Sequence, residues 1–213
     1  MDFSELLRIV SDLPTFETGL LLAGNVTPSD VQKQLSRWTT SGRIYQLRRG
    51  LYSLAPPYQK VIPHPFLIAN QVLTGSYVSL QSALAYYGMI PELVPVTTSV
   101  TTRRPATYHT PFGQFDYRHI QVEWFQAYRR VDLGNEQKAF LARPEKALLD
   151  LVYLQPGGDS ESFLRALRLQ ALDQLDVAQL HRIANEAGKP KLLRAAQIIQ
   201  QMIEEEITGY ETL

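Results

Sequence analysis

Apolar residues recur at helical spacing near the start of the chain. The repeat predicts an amphipathic helix over residues 3 to 12, which Pro14 ends. Residues 17 to 23 predict a second, shorter helix, and Gly24 and Asn25 follow as its stop signal. The chain therefore begins with two helices in close succession.

A third helix has the clearest boundaries. Thr27 suits the N-cap, Pro28 stands at the first helical position, and Gly42 follows the predicted end near Ser41. Its buried stripe is predicted to be Val31, Leu35 and Trp38. At about 100° per residue, the opposite face holds basic and short polar side chains and no acid. These are Ser29, Gln32, Lys33, Ser36, Arg37 and Thr40.

Two β-prone runs follow within residues 43 to 54, on either side of Arg48, Arg49 and Gly50. Glycine between two such runs is typical of a β-hairpin. Three helices followed by a hairpin with arginines at its tip predict a winged helix-turn-helix.

Four prolines between residues 56 and 65 interrupt regular structure, so we predict domains over residues 1–57 and 64–213. For the second domain, the patterns predict helices at 66–73, 79–87 and 144–154, a strand at 96–102, a hairpin at 108–110 and 114–120 that 121–125 extends, and helical structure over most of 160–207. The fold class is therefore α+β: a winged helix-turn-helix domain, then an α+β domain with a helical C-terminal tail.

The charge distribution supports a basic surface. Over 213 residues, 21 Lys and Arg balance 21 Asp and Glu. By segment, however, residues 1–30 carry a net charge of −4, residues 31–115 carry +7, and residues 116–213 carry −3. A local basic stretch is expected where one face meets a polyanion, although solvated surface gives the same pattern.

Composition excludes several classes of protein. The absence of cysteine excludes disulfides, thiolate nucleophiles and Cys-containing zinc sites. The acidic amphipathic start does not resemble a signal peptide, and apolar runs are too short to span a bilayer, so we expect a cytoplasmic protein without a membrane partner. Phosphate-binding, dinucleotide-binding and hydrolase motifs are absent.

The candidate chemistry of the second domain is sparse, and we predict no enzyme activity, cofactor or metal. His109 and His119 could meet across the predicted hairpin, where a surface pair is favoured over a metal site. Glu145, Lys146 and Asp150 resemble a nuclease set, but their position favours helix-start charges and an i,i+4 pair. Two hydroxyl-rich stretches favour helix caps and strand-surface positions, with a site for a polar partner or contact with the DNA backbone as the alternatives. They comprise Ser79, Ser82, Thr98, Ser99, Thr101 and Thr102.

Double-stranded DNA is the partner that the first domain predicts. Lys33 and Arg37 are candidates for guanine edges, and Gln32 for adenine. Candidates for phosphate contacts are Ser29, Thr39, Thr40, Arg43, Arg48, Arg49 and Tyr52, with Arg103 and Arg104 extending the basic zone into the second domain. A solvated helix face and a protein-docking module are the alternatives.

The order of several motifs resembles the AbiEi family, the antitoxins of type IV abortive-infection toxin–antitoxin systems. The matching segments are Trp38, SGRI at 41–44, RGLY at 49–52, SLQSALAYYG at 79–88, IP at 90–91, TSVTT at 98–102 and RPEKALLD at 143–150. The resemblance covers roughly residues 5 to 155.

This resemblance implies a winged helix that binds operator repeats and represses its own operon, and a C-terminal domain that counters a nucleotidyltransferase-like toxin without requiring a stable complex. It assigns DNA contact to Lys33, Arg37, Arg43, Arg48 and Arg49. The chain after residue 155 has no counterpart in it. A stand-alone regulator and an antitoxin that binds its toxin directly are the other hypotheses.

Overall fold

The computed structural model describes residues 1–22 and 27–211, and it is a mixed α+β structure. The first part of the chain forms α1 (Phe3–Val10), β1 (Phe16–Glu17), a 3-10 turn (Thr18–Leu22), α2 (Pro28–Thr40), β2 (Ile44–Arg48) and β3 (Leu51–Leu54). The middle part forms α3 (Pro65–Val72), β4 (Ser76–Val78), α4 (Leu80–Tyr86), β5 (Val96–Thr101), β6 (Ala106–Thr110), β7 (Gly113–His119), a 3-10 turn (Val122–Trp124), β8 (Tyr128–Asp132), β9 (Lys138–Ala142) and α5 (Pro144–Leu154). The last part forms α6 (Glu161–Ala166), a 3-10 turn (Leu172–Gln174), α7 (Val177–Ala187) and α8 (Pro190–Glu211).

Helix α2 begins and ends where its sequence predicts. Thr27 occupies the N-cap with extended backbone, although its side chain makes no capping bond, and Pro28 opens the helix. Gly42 then adopts a φ of +70°, and its N–H donates to the carbonyl of Thr39. The predicted stripe of Val31, Leu35 and Trp38 is buried.

The hairpin β2–β3 is part of a three-stranded sheet in the order β1-β3-β2. Its register shifts between Gln46 and Arg48, and Gly50 takes a φ of +82° at the turn. Phe16 pairs with Tyr52, which adds β1 to the outer edge of β3.

The second sheet has six strands in the order β6-β7-β5-β4-β9-β8. The β4–β9 and β5–β7 pairs are parallel, and the other pairs are antiparallel. Helix α3 contacts β4, β5 and β9, while α4 packs on β5 and on α5. Helix α5 also contacts α7 and α8, so the helical tail packs against the rest of the predicted second domain.

The buried side chains form two clusters, and the hairpin belongs to both. Ile44 and Leu54 face the smaller cluster with α1 and α2, whereas Leu47 and Leu51 join the larger cluster of the second sheet. Tyr45 also makes an edge contact with Phe112, at 5.9 Å between ring centroids. The hairpin is therefore packed from both sides.

Some predicted elements are wrong. Residues 18–22 of the predicted second helix form a 3-10 turn, and Glu17 is in a strand because it pairs with Leu51; Ala23 and the stop signal at Gly24 and Asn25 lie outside the described residues. Residues 122–124 form a 3-10 turn instead of extending β7, and Trp124 is buried there.

Four strands were not predicted, namely β1, β4, β8 and β9. The predicted hairpin of β6 and β7 is confirmed, but its histidines do not face each other. His109 pairs with Gln114, and His119 pairs with Thr101 of β5. The predicted helices at α3, α4 and α5, and the helical tail, are confirmed.

Candidate nucleic-acid interface

The polar face of α2 is open to solvent. All six of its predicted residues are exposed: Ser29, Gln32, Lys33, Ser36, Arg37 and Thr40. Five of them, all except Thr40, line an open depression of about 540 Å³. Because Val31, Leu35 and Trp38 hold the opposite side in the core, this face is fixed in its outward orientation.

The charge on this face is positive, with one acid beside it. Asp30 lies 3.5 Å from Lys33, and both side chains are exposed, so the pair is weak. Arg37 makes no ion pair within the described part of the chain. A guanidinium without a partner is available at the middle of the face.

Two hydroxyls near the end of α2 point back to the helix. Thr39 donates to the carbonyl of Leu35 at 2.9 Å, and Ser41 donates to that of Trp38 at 3.2 Å. Arg43, just beyond the helix, is exposed and lies over the ring of Phe3, 4.9 Å from its centroid. The stacked ring holds this guanidinium beside the end of α2.

The two arginines at the hairpin tip differ in their surroundings. Arg49 is exposed, whereas the side chain of Arg48 is only 28% exposed. Arg48 donates through Nε to the carbonyl of Gln71 at 2.9 Å and through Nη2 to Glu17 at 3.3 Å. Arg48 therefore joins the hairpin to α3, whereas Arg49 is the exposed tip cation and forms no ion pair within the described residues.

Tyr52 is placed in the core and not on the surface. It is buried, and its ring stacks on Phe16 at 5.8 Å. Burial raises the pKa of the Tyr52 hydroxyl, and a hydrogen bond with Thr18 opposes that shift. Its predicted phosphate contact is not compatible with this position.

Arg103 and Arg104 are exposed in the turn between β5 and β6. The side chain of Arg103 lies close to Gly75. A Cβ added to that glycine would be 3.9 Å from Nε of the arginine. Gly75 follows the end of α3, where the Gln71 carbonyl binds Arg48. The structure thus brings Arg103 to the same end of α3 as the hairpin tip.

The nuclease-like set lies inside the protein. Lys146 and Asp150 are both 0% exposed and form an ion pair, with Lys146 Nζ 3.7 Å from the centroid of the Trp124 ring. Asp150 also accepts from the hydroxyls of Ser79 at 2.6 Å and Tyr77 at 3.1 Å. These side chains have no surface at which a substrate could meet them.

Burial determines the ionisation of this group. It lowers the pKa of Lys146, and the carboxylate of Asp150 opposes that shift. It also raises the pKa of Tyr77, as does the neighbouring Asp150. Glu145 is separate, since its carboxylate accepts the N–H of Asp176 at 3.0 Å.

The hydroxyl-rich stretches are mostly internal, and Thr98 borders an open depression that Gln81, Arg118 and Gln155 also line. Ser82 and Thr98 bond to each other and to nearby backbone, and Thr101 donates to the carbonyl of Gly75. Ser79, Ser82, Ser99 and Thr101 are buried. They connect β4, α4 and β5, which explains their order along the chain.

The described residues hold neither a metal-ligand cluster nor a membrane-spanning helix. Among residues 1–22 and 27–211, no three His, Asp or Glu side chains come together as ligands of a metal ion. Within the same ranges, no helix combines the length and apolar character needed to cross a bilayer.

The chain matches no protein-family model, and no curated protein matches it. Its fold is similar to that in the crystal structure of the Rv2827c protein from Mycobacterium tuberculosis, with a TM-score of 0.56. The two proteins share 17% sequence identity, over 92% of this chain and 75% of that one. At this identity the likeness concerns the fold.

Proposed function

We propose that the protein binds double-stranded DNA in a sequence-specific manner through a winged helix-turn-helix formed by its first 57 residues. The observation that carries the proposal is the outward face of α2, where Arg37 and Lys33 stand exposed among short polar side chains. Helix α2 serves as the recognition helix, and β2–β3 serves as the wing.

The dimensions of the DNA grooves indicate which residues contact bases and which contact phosphates. The major groove of B-DNA, about 12 Å wide, admits one α-helix. Arg37 and Lys33 then reach guanine edges, and Gln32 reaches an adenine edge. Arg48, Tyr52 and Thr39, whose hydroxyl bonds to the carbonyl of Leu35, are left out of the predicted phosphate contacts. The contacts that remain are Ser29, Thr40, Arg43, Arg49, Arg103 and Arg104.

The second domain supports this arrangement by fixing the wing. Leu47 and Leu51 pack into the larger core, and Thr15 donates to the side chain of Gln71 at 2.6 Å. A wing held from both sides loses little conformational freedom on binding, which favours affinity. Arg103 lies where it can extend the wing's phosphate contacts.

We further propose that the protein is the antitoxin and autorepressor of a type IV toxin–antitoxin operon. The support is the ordered resemblance to the AbiEi family together with the surface described for α2. The toxin would be nucleotidyltransferase-like, and direct contact with it is not required by the proposal.

A binding titration tests the DNA proposal. Fluorescence anisotropy with the duplex upstream of the gene should give an affinity that falls as salt rises, because phosphate contacts release counterions. A scrambled duplex of the same length and composition is the control. Equal affinity for the two duplexes contradicts sequence-specific binding.

Growth rescue tests the antitoxin proposal separately. Co-expression of the full chain with a nucleotidyltransferase-like protein encoded beside it should restore growth, and Arg37→Ala should still do so while losing repression. Repression without rescue indicates a stand-alone regulator. Rescue with a stable complex in pull-down indicates an antitoxin that binds its toxin.

A further inference from the structure

The outer face of the β8–β9 pair carries exposed aromatic rings beside cations. Arg130 pairs with Phe140 in register, and Tyr128 pairs with Ala142, so Tyr128, Arg130 and Phe140 project to one side of the sheet. Phe140 is 45% exposed and Tyr128 is 36% exposed. The two exposed rings are neighbours on one face of the sheet, and Arg130 lies between them in the register.

The rings are held in place from below. Tyr128 meets Phe140 edge to face at 5.8 Å and stacks on the buried ring of Tyr77 at 4.6 Å. The hydroxyl of Tyr77 is in turn bound to Asp150. The exposed pair is therefore the outer end of an aromatic stack anchored in the core, and it is rigid enough to receive another flat group.

The cations on these two strands lack acidic partners. Arg130 and Lys138 are exposed and form no ion pair within the described part of the chain, and the same holds for Arg129 on the other side of β8. Asp132 is the one acid in the two strands, and its carboxylate accepts the N–H of Gly134 at 2.8 Å. The surface therefore has an excess of positive charge.

We propose that this surface, formed by Tyr128, Arg130, Lys138 and Phe140, binds a single-stranded nucleic acid. Bases stack on the rings of Tyr128 and Phe140, and the cations meet the phosphates between them. Rings interleaved with unpaired cations suit this ligand, because every base has a face that stacks and every linkage carries a charge. The cations favour a polyanion over an apolar protein partner.

The surface uses none of the residues assigned to the proposed duplex site. The hairpin β2–β3 contacts β6, and β8 is at the opposite edge of the six-stranded sheet. At the C-terminal end of α3 the two regions are neighbours, because the side chain of Asn70 accepts the N–H of Phe140 at 2.5 Å and the carbonyl of Gln71 accepts from Arg48. Binding at the β8–β9 surface does not depend on the function proposed for α2.

Anisotropy of a labelled oligouridylate of about 12 nucleotides tests the proposal with the full chain. The wild type should bind it, and Phe140→Leu should bind about 5- to 150-fold more weakly, because leucine keeps an apolar side chain but cannot stack. Phe140→Tyr keeps the ring and should bind like the wild type. Arg130→Ala should reduce the slope of log affinity against log salt by about 0.7.

Matched controls distinguish stacking at Phe140 from a general loss of apolar or charged surface. Leu93→Ala removes an exposed apolar side chain elsewhere and should leave binding unchanged. Duplex binding should be the same for Phe140→Leu and wild type, so a failure of either proposal is recognised independently. The proposal is overturned if Phe140→Leu binds the oligonucleotide like the wild type, or if polyglutamate competes as well as unlabelled oligouridylate.

Discussion

Replacing Lys146 by methionine measures how much the buried ion pair with Asp150 contributes to stability. The substitution keeps most of the side-chain volume but leaves Asp150 without its cation at a position that is 0% exposed. Ser79 and Tyr77 still donate to the carboxylate, so it retains two hydrogen bonds. Removing one partner of a buried pair nevertheless costs about 3–5 kcal/mol.

The cost of losing the Lys146 ammonium group is a large fraction of the free energy of unfolding. A protein of this kind has a free energy of unfolding of about 5–15 kcal/mol. At roughly 2–4 °C per kcal/mol for its size, Lys146→Met should lower Tm by roughly 6–20 °C. Urea unfolding gives the free energy, and fluorescence of Trp124, whose ring lies beside the ammonium group, reports the local change.

An exposed pair supplies the matched control. Arg182 and Glu186 are also spaced i,i+4, with 2.7 Å between their charged atoms, but both are exposed. Arg182→Met should cost only a few tenths of a kcal/mol. The double variant Lys146→Met/Asp150→Asn should recover part of the lost stability, because the neutral amide leaves no unpaired charge and its oxygen still accepts from Ser79 and Tyr77. Equal costs for Lys146→Met and Arg182→Met would refute this reasoning.

Two other predictions concern stability. Gly158→Ala places a Cβ 2.9 Å from the carbonyl oxygen of Val152 and should cost roughly 1–3 kcal/mol in urea unfolding, whereas Gly19→Ala, with open space around it, should be neutral; equal effects contradict the predicted clash. Burial raises the pKa of Tyr77 and Tyr117 above the usual 10.0, so their contribution is present below pH 10 and is lost as pH rises, by up to about 1.4 kcal/mol per pH unit for each. Burial lowers the pKa of Lys146, so this group makes the free energy of unfolding rise with pH, but only up to its ordinary pKa of 10.5. Unfolding is therefore measured above pH 10.5, where Lys146 no longer opposes the effect of the two tyrosines. Tyrosinate absorbance should then show a late phase that coincides with unfolding, and its absence contradicts the burial effect.

Local sequence signals account for the parts of the fold that could be predicted. Helix α2 follows from Thr27, Pro28, its apolar stripe and Gly42, all of which act within a few residues of one another. The same periodicity identified the outward face, because burial of one stripe fixes the orientation of the rest. No distant contact was needed for either inference.

Strands whose character depends on their neighbours could not be predicted. β4 has only three residues, all buried, so it shows no alternation. β8 is largely exposed at the sheet edge, and its sequence Tyr128–Asp132 has a single apolar aliphatic residue. Its extended form comes from pairing with β9, a contact that the local pattern does not contain.

In the candidate site, too, local sequence predicts some features, and contacts with distant residues determine the others. Arg48 and Arg49 are adjacent and chemically identical in the sequence, but Arg48 binds the Gln71 carbonyl, 23 residues away along the chain. Tyr52 is buried because its ring stacks on Phe16 of β1 and belongs to the smaller core cluster. Lys146 and Asp150 were correctly predicted as an i,i+4 pair, and their burial depends on β4, α4 and the turn at Trp124.

Base specificity of Arg37 tests the central claim most directly. Affinities of wild type, Arg37→Ala and Arg49→Ala are measured on the upstream duplex and on a set with each base pair changed singly. Arg37→Ala should lose about 1–3 kcal/mol of discrimination at one base pair, while Arg49→Ala should weaken all duplexes about equally. If Arg37→Ala weakens every duplex equally and keeps full discrimination, α2 does not read the major groove.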